Sequence, residues 1–329
     1  MSGRLVAAAL ALLVTTGGVA ACGSDDEEAA PAGSGVDKTA AGKVIQADTA
    51  NSGKSVKIGS KNFTESIILA QIYGQSLTKA GYTVKYDTNL GLEKVATAAM
   101  KKGQIDGYPE YTGTALTALL GVKPADVPKD ETEAYEEAKR LYKEKLNFVA
   151  LPQTPFTDSN ALGLTGKRAK ELGDIKTISD LADGEFNDGK LSLAASAECF
   201  KRTDCALGLK EVYGLKFKEI PIDVAQRHEV ILKGKADLTI PFTTDGQIAA
   251  NKEVVLEDDK DLFPPYNVTF VLTEAASQRL GPNVEKLITE VQKGLTTPVM
   301  SELNSRVDLD KQKPEKVATQ YLKAQGFLE

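Results

Sequence analysis

Apolar and polar residues alternate over 56–60, and apolar positions then recur at helical spacing over 66–80, where Gly81 ends the run. Those two periods predict a strand followed by a helix, with Thr64 or Ser66 as its cap. Residues 82–87 alternate again, 92–102 return to the helical period, and 104–106 start a third strand. After a mostly helical stretch over 115–145 and a strand over 147–155, the same rhythm restarts at Asn160. It gives strands at 161–164, 190–195, 217–222 and 236–240, with helices at 168–171, 177–182 (Ser179 as cap), 208–213 and 224–233. Strands over 253–257 and 267–272 and three helices close the chain. Alternation of this kind predicts open α/β sheets, with ligands held at loops where strands end.

The stretch 106–116, Asp-Gly-Tyr-Pro-Glu-Tyr-Thr-Gly-Thr-Ala-Leu, lies at such a strand end and leads into a new apolar helix. Thr112 or Thr114 is placed to cap that helix, whose free N–H groups and positive dipole end favour an anion. The neighbouring tyrosines, Tyr108 and Tyr111, offer a face for a cation. Together they suit a small zwitterion; an ordinary turn with half-buried aromatics is the competing reading of these residues alone.

Bulk properties narrow the possibilities. At 329 residues and 42% hydrophobic, the chain is long enough for two domains of ordinary size. A formal charge of -6, from 40 Lys+Arg against 46 Asp+Glu, provides no basic face, so no nucleic-acid partner is expected. Residues 1–22 read as a targeting segment, in which Arg4 precedes an apolar run over 5–14 and Val19-Ala20-Ala21-Cys22 resembles a bacterial lipobox. Cys22 is then the lipidated first residue of an exported protein, anchored on the extracytoplasmic face of the cell membrane. Residues 23–55, rich in Ala, Gly, Ser and acids, read as a disordered tether. In that compartment Cys199 and Cys205 are read as a local disulfide, with a reduced buried pair as the alternative. There is no further cysteine or histidine cluster to build a metal site.

Catalytic chemistry is thinly represented. The sole histidine, His228, falls in a helix, and nucleophile-elbow, P-loop, zincin and dinucleotide motifs are all missing. No enzymatic activity and no cofactor are expected.

Several segments in order carry a family likeness: Gly-Ser-Lys-Asn-Phe-Thr-Glu at 59–65, Asn-Leu-Gly at 89–91, Tyr-Pro-Glu-Tyr-Thr-Gly-Thr at 108–114, Pro155-Phe156, 207–210 with 213–217, Phe-Thr-Thr-Asp-Gly at 242–246 and Phe-Pro-Pro-Tyr at 263–266. The chain resembles the substrate-binding lipoproteins of glycine betaine/choline/carnitine-type ABC importers. The resemblance implies a type II periplasmic-binding-protein fold: two α/β lobes joined by two hinge crossings, lobe one at 56–156 plus 246–329 and lobe two at 157–245. The crossings are expected near 156–159 and 243–246. The implied partners are a small-molecule solute, a membrane permease and its ATPase, with the binding protein itself a monomer.

By the same likeness, Tyr111 is a wall of an aromatic box for a quaternary ammonium, with Phe242 beside it. Thr114 and Lys61 from lobe one and Arg202 from lobe two meet the solute carboxylate, Arg suiting it by its planar fork. Four positions depart from the family pattern. Asn160, His228 and Phe242 stand where relatives often have tyrosines, and Lys94 stands where some choline binders have an acidic or amide residue. Asn has no π face and a nearby Lys repels an ammonium, so an amino-acid-like zwitterion, a small anion or a sensor without transport remain open beside betaine and choline.

Overall fold

The computed structural model describes residues 42–329. The targeting segment 1–22, with Cys22, and the part of the expected tether over 23–41 lie outside the described residues. Residues 42–55, also assigned to the tether by composition, belong to the fold instead. Gly42 and Ile45 donate backbone hydrogen bonds to Gln325 and Phe327, and Ile45 is buried.

The chain opens with β1 (Ser55–Gly59), α1 (Thr64–Lys79), β2 (Thr83–Asp87) and α2 (Glu93–Lys101). It continues through β3 (Gly107–Tyr111), the short α3 (Thr112–Thr114) extended by a π-helical turn (Ala115–Leu119), α4 (Glu131–Leu141) and β4 (Phe148–Ala150). Residues Ile68, Leu69, Ile72, Tyr73 and Leu77, spaced three to four apart, are the buried stripe of α1. Phe63, not Thr64 or Ser66, is its N-cap. Ser66 Oγ accepts from Lys61 N (2.9 Å) and the Thr64 hydroxyl bonds Asp308, so both candidate caps are committed elsewhere.

β3 overturns the competing reading of an ordinary turn with half-buried aromatics: 107–111 is a fully buried strand. It tolerates Pro109 for a geometric reason. Pro109 faces Phe270 of the antiparallel neighbour in a pair that exchanges no backbone hydrogen bonds, and on its other side β1 pairs β3 only at Gly107. The missing N–H therefore points where no ladder continues.

The second sheet is built from β5 (Leu162–Thr165), α5 (Gly166–Glu171), α6 (Ile178–Asp183), β6 (Ser192–Ala195), α7 (Ala206–Tyr213), β7 (Lys218–Pro221), α8 (Arg227–Leu232), β8 (Leu238–Thr239), α9 (Gly246–Ala250) and β9 (Glu253–Leu256). Its strand order is β7-β6-β8-β5-β9. The cap of α6 is Thr177, in a capping box with Asp180, not Ser179. The chain then returns as β10 (Val268–Thr273), antiparallel between β3 and β4, which completes the order β2-β1-β3-β10-β4. Four helices follow where three were expected: α10 (Glu274–Leu280), α11 (Asn283–Gln292), α12 (Thr297–Asp308) and α13 (Pro314–Ala324). The last three cover α1.

The two sheets and their helices form the two α/β lobes expected, with a shifted boundary. β9 pairs with β5, Glu257 bridges Thr177, and Leu262 is buried in the core of the second sheet. Lobe two therefore runs past residue 245 to about 262, and the return crossing is 263–267, not 243–246. The segment 243–246 touches lobe one without leaving lobe two, through Thr244 against Glu65 and Asn304.

Candidate functional site

Strand ends from both lobes bring three aromatic rings together. Phe63 follows β1, Tyr111 ends β3 and Phe242 follows β8; the Phe63 centroid lies 5.7 Å from Tyr111 and 5.2 Å from Phe242. An ammonium already stands on this face. Lys61 Nζ lies 4.2 Å from the Tyr111 centroid and 5.4 Å from that of Phe63, in cation–π range. It also donates to Glu110 Oε1 (2.6 Å), and Glu110 is held in turn by Tyr108 Oη and Tyr111 N, each at 2.7 Å. Tyr111 Oη donates to Glu65 Oε1 (2.9 Å), which fixes the ring from its far end.

Lobe two contributes Arg202 from the loop that Cys199 and Cys205 close. The disulfide is present, with S–S 2.08 Å and Cα atoms 5.2 Å apart. Arg202 donates through Nε (2.8 Å) and Nη2 (2.6 Å) to Asp204, the bidentate geometry that sequence reasoning assigned to a solute carboxylate. Its remaining reach crosses to lobe one, where Nη2 meets Thr114 Oγ1 at 3.4 Å and Nη1 lies 3.7 Å from Glu93. Burial alone would raise the Asp204 carboxyl, but the Arg202 charge together with hydrogen bonds from Arg202, Thr117 and Tyr266 outweighs it and holds the group below the usual carboxylate range. Asp204 also accepts from Thr117 (2.7 Å) and Tyr266 (2.8 Å) of lobe one, while Asn160 donates to Tyr266 Oη (3.1 Å).

A second arginine is likewise spent internally. Arg227 donates bidentately to Asp245, with Nε–Oδ2 at 2.6 Å, and its guanidinium stacks 4.5 Å from the Phe242 centroid. His228 bridges Asp245 (2.9 Å) and Glu253 (2.9 Å). Burial would lower its pKa, yet hydrogen bonds to the two carboxylates outweigh that and raise it. Nearby, Thr244 Oγ1 lies 2.5 Å from Glu65 Oε2 and 2.7 Å from Asp158 Oδ1. One hydroxyl hydrogen cannot serve both contacts, so one carboxyl keeps its proton. Burial pushes both carboxyls up, as that requires.

Between these groups lies a cavity of about 50 Å³ lined by Leu92, Asn160, Ser196, Arg202, Arg227 and Phe242, among others. Solute pockets usually start near ~300 Å³, so admission of a solute needs the lobes to part. Larger depressions of about 510 and 340 Å³ lie elsewhere, but the first is an open groove at α5 and α8 and the second a groove under residues 43–51; neither gathers convergent aromatics and buried cations.

Of the residues singled out in the sequence, Asn160, Arg202 and Phe242 line the cavity. Lys61, Tyr111 and Thr114 stand against the same groups from lobe one. Two others stand apart from the lining: Lys94 is exposed on α2, and His228 is turned to Asp245 and Glu253. The helix after Tyr111 has no side-chain cap either: the Thr112 hydroxyl donates to Pro265 O. Phe63 and Tyr266 were visible inside the quoted motifs without a role, whereas Glu93, Asp204 and Arg227 carried no local signal.

Comparison with known proteins agrees with this architecture. Residues 54–324 match the family described as the substrate-binding domain of the ABC-type glycine betaine transport system. The chain is 34% identical to the glycine-betaine-binding protein of Pseudomonas aeruginosa over 285 residues, covering 84% of this chain and 89% of that one. It is 28% identical to the glycine betaine-binding protein YehZ of Escherichia coli, covering 83% and 91%. A solved glycine betaine/carnitine/choline ABC transporter structure superposes with a TM-score of 0.66 at 28% identity, covering 83% of this chain and all of that one. Two mixed α/β lobes, an aromatic group with buried cations between them and these matches place the chain in the family of extracytoplasmic substrate-binding domains of ABC-type glycine betaine transport systems.

Proposed function

We propose that the chain captures a small zwitterionic or quaternary-ammonium solute of the glycine betaine/choline type between its lobes and delivers it to a membrane permease driven by an ATPase. It does so as a monomer without enzymatic activity or cofactor, held at the membrane by a lipid on Cys22. The observation that carries this reading is the aromatic group itself: Tyr111 and Phe63 already receive an ammonium, that of Lys61, at 4.2 and 5.4 Å. Rings that stabilise one desolvated ammonium suit another, by up to about 2 kcal/mol per good contact. Tyr111, Phe242 and Asn160 are then the residues that meet the solute, with Lys61 displaced toward its carboxylate or retained beside Glu110. Closure is supported by Arg202 and Asp204, which reach Thr114 and Thr117 across the cleft.

Calorimetric titration of the purified protein with glycine betaine, choline, carnitine and a panel of amino acids tests the proposal; Trp is absent, so intrinsic fluorescence would report poorly. Saturable heat from a trimethylammonium solute is expected. A second reading keeps the transport role with an amino-acid-like zwitterion or small anion as cargo. It is favoured by the occupied face of Tyr111 and by Asn160, which has no π face. Heat only from those solutes would establish it and sink the first.

A further inference from the structure

One contact between the lobes joins two acids. Glu65 lies in the first turn of α1 in lobe one, and Asp158 lies in the first crossing, tied to lobe two where Ser159 N donates to Thr243 Oγ1 and Thr243 N to Ser159 O. Both are buried, and both meet the Thr244 hydroxyl, Glu65 through Oε2 and Asp158 through Oδ1. Glu110, Asp204 and Asp245 are each met by a cation, Lys61, Arg202 and Arg227; Glu65 and Asp158 are not. Their surroundings supply no free counter-charge. Asp245 adds a further negative charge, Arg227 and His228 on α8 are spent on Asp245 and Glu253, and Asp308 on α12 is another acid, bonded to Thr64 and Gln247.

The donors decide where the proton sits. Glu65 accepts from Tyr111 Oη (2.9 Å) and Asn304 Nδ2 (3.0 Å) besides Thr244, whereas Asp158 is reached by Thr244 alone, through its hydroxyl and, at 3.2 Å, its N–H. Asp158 is therefore the protonated acid: its O–H donates to Thr244 Oγ1, and the Thr244 hydroxyl donates to the Glu65 carboxylate. Asn304 Nδ2 also donates to Thr244 O, so the chain fastens lobe two to α1 and α12. Parting the lobes withdraws Glu65 and Asn304 from Thr244 and admits water, which returns both acids toward their ordinary range and releases the proton.

We propose that lobe closure takes up one proton on the Asp158–Thr244–Glu65 chain, so that the protein captures its solute more tightly in acid surroundings. This rests on the solute-capture reading above and adds a condition to it. The closed form keeps the proton over a range of pH in which the parted form has lost it. Across that range affinity rises as pH falls, by up to about tenfold per pH unit, and the rise ends at about pH 4, where the parted form is protonated as well. His228 stays out of this coupling, because Asp245 and Glu253 lie in lobe two with it and remain beside it on opening.

Calorimetric titration with choline and with glycine betaine, neither of which changes protonation between about pH 5.5 and 7.5, tests the coupling; repeating it in buffers of different ionisation enthalpy counts the protons. Binding about tenfold or more tighter at the lower pH, with uptake approaching one proton per solute, is expected. Asp158→Asn, which offers an N–H to Thr244 but cannot gain a proton, should give a flat profile. Melting of the unliganded variant checks its fold; should it fail, Glu65→Gln, which removes the conflict from lobe one, must flatten the profile instead. A flat profile in the wild type overturns the inference, as does an unchanged slope in a folded variant. If neither solute gives heat at any pH, the solute-capture reading falls by itself, and small-angle scattering of the unliganded protein decides the coupling. A radius of gyration that shrinks on acidification in the wild type but not in the variant upholds it, and one that stays constant in the wild type overturns it.

Discussion

Replacing Lys61 by Met tests whether the site is held by an ion pair that was recruited from within the chain. Lys61 and Glu110 are both buried, with side chains 4% and 0% exposed and 2.6 Å between them. Removing one partner of such a pair typically costs about 3–5 kcal/mol, because the other charge is stranded. In Lys61→Met, Glu110 keeps two donors, Tyr108 Oη and Tyr111 N, so the loss should fall at the lower end, about 3 kcal/mol. In Glu110→Gln the ammonium keeps the Tyr111 and Phe63 faces, worth ~2 kcal/mol when desolvated, and a similar or smaller loss is expected. The double variant carries no stranded charge and should return to within about 1 kcal/mol of wild type, a non-additivity of ~3 kcal/mol or more. Urea unfolding followed by circular dichroism reads all four proteins. Single variants within about 1 kcal/mol of wild type, or a double variant equal to the sum of the singles, would refute the reasoning. The same Met variant uncovers the Tyr111 face, so its affinity for a trimethylammonium solute should be retained or increased while that for any solute carboxylate falls.

Other consequences can be checked alongside. Cys199→Ser with Cys205→Ser opens a short loop, and chain-entropy reasoning gives a stability loss of about 2 kcal/mol, to be read as a lower melting temperature that reductant reproduces in the wild type. Arg202→Lys replaces a two-point contact with a single charge, so Asp204 is left partly unmatched and closure onto Thr114 weakens; solute affinity should drop more than tenfold in calorimetry. The raised pKa of His228 makes its contribution to stability complete below its ordinary value of ~6.5 and lost as pH rises through the folded-state value. The melting temperature should therefore decline on the alkaline side, and His228→Gln should flatten that decline; an unchanged slope in the variant would dissociate it from His228.

Much of the fold was legible because periodicity speaks for elements that bury one face. The stripe of α1 and the alternation of β1 and β2 are cases in point. What escaped were features set by neighbours distant in sequence. Residues 107–111 looked like a turn because they hold Gly and Pro, and became a core strand because β10 arrives from 160 residues later with its pairing phase opposite Pro109. Gly107 is required there for the same reason: a Cβ would lie 2.4 Å from Val271 O. Residues 42–55 looked like a tether because they are poor in large apolar groups, yet Ile45 and the backbone of Gly42 find partners on the last residues of the chain. Boundaries of lobe two failed likewise, since β9 is assigned to a sheet by its antiparallel register with β5 and not by its own composition.

The site divides along a different line. Residue types that bring chemistry were recognisable, and Tyr111, Lys61, Phe242 and Asn160 do converge. What each is free to do was not, because availability depends on partners. Arg202 has the fork a carboxylate wants, but Asp204, two residues away, takes it; the same happens to Arg227 through Asp245. Lys61 has the charge to hold an anion, but Glu110 and the Tyr111 ring take that. Subtracting the satisfied groups leaves an aromatic face with buried carboxyls near it, Glu65 and Asp158 on the Thr244 hydroxyl and Glu93 3.7 Å from Arg202, none of them bonded to a cation. A site assembled from opposite charges is read by what remains after they pair, and here the remainder is suited to a cation.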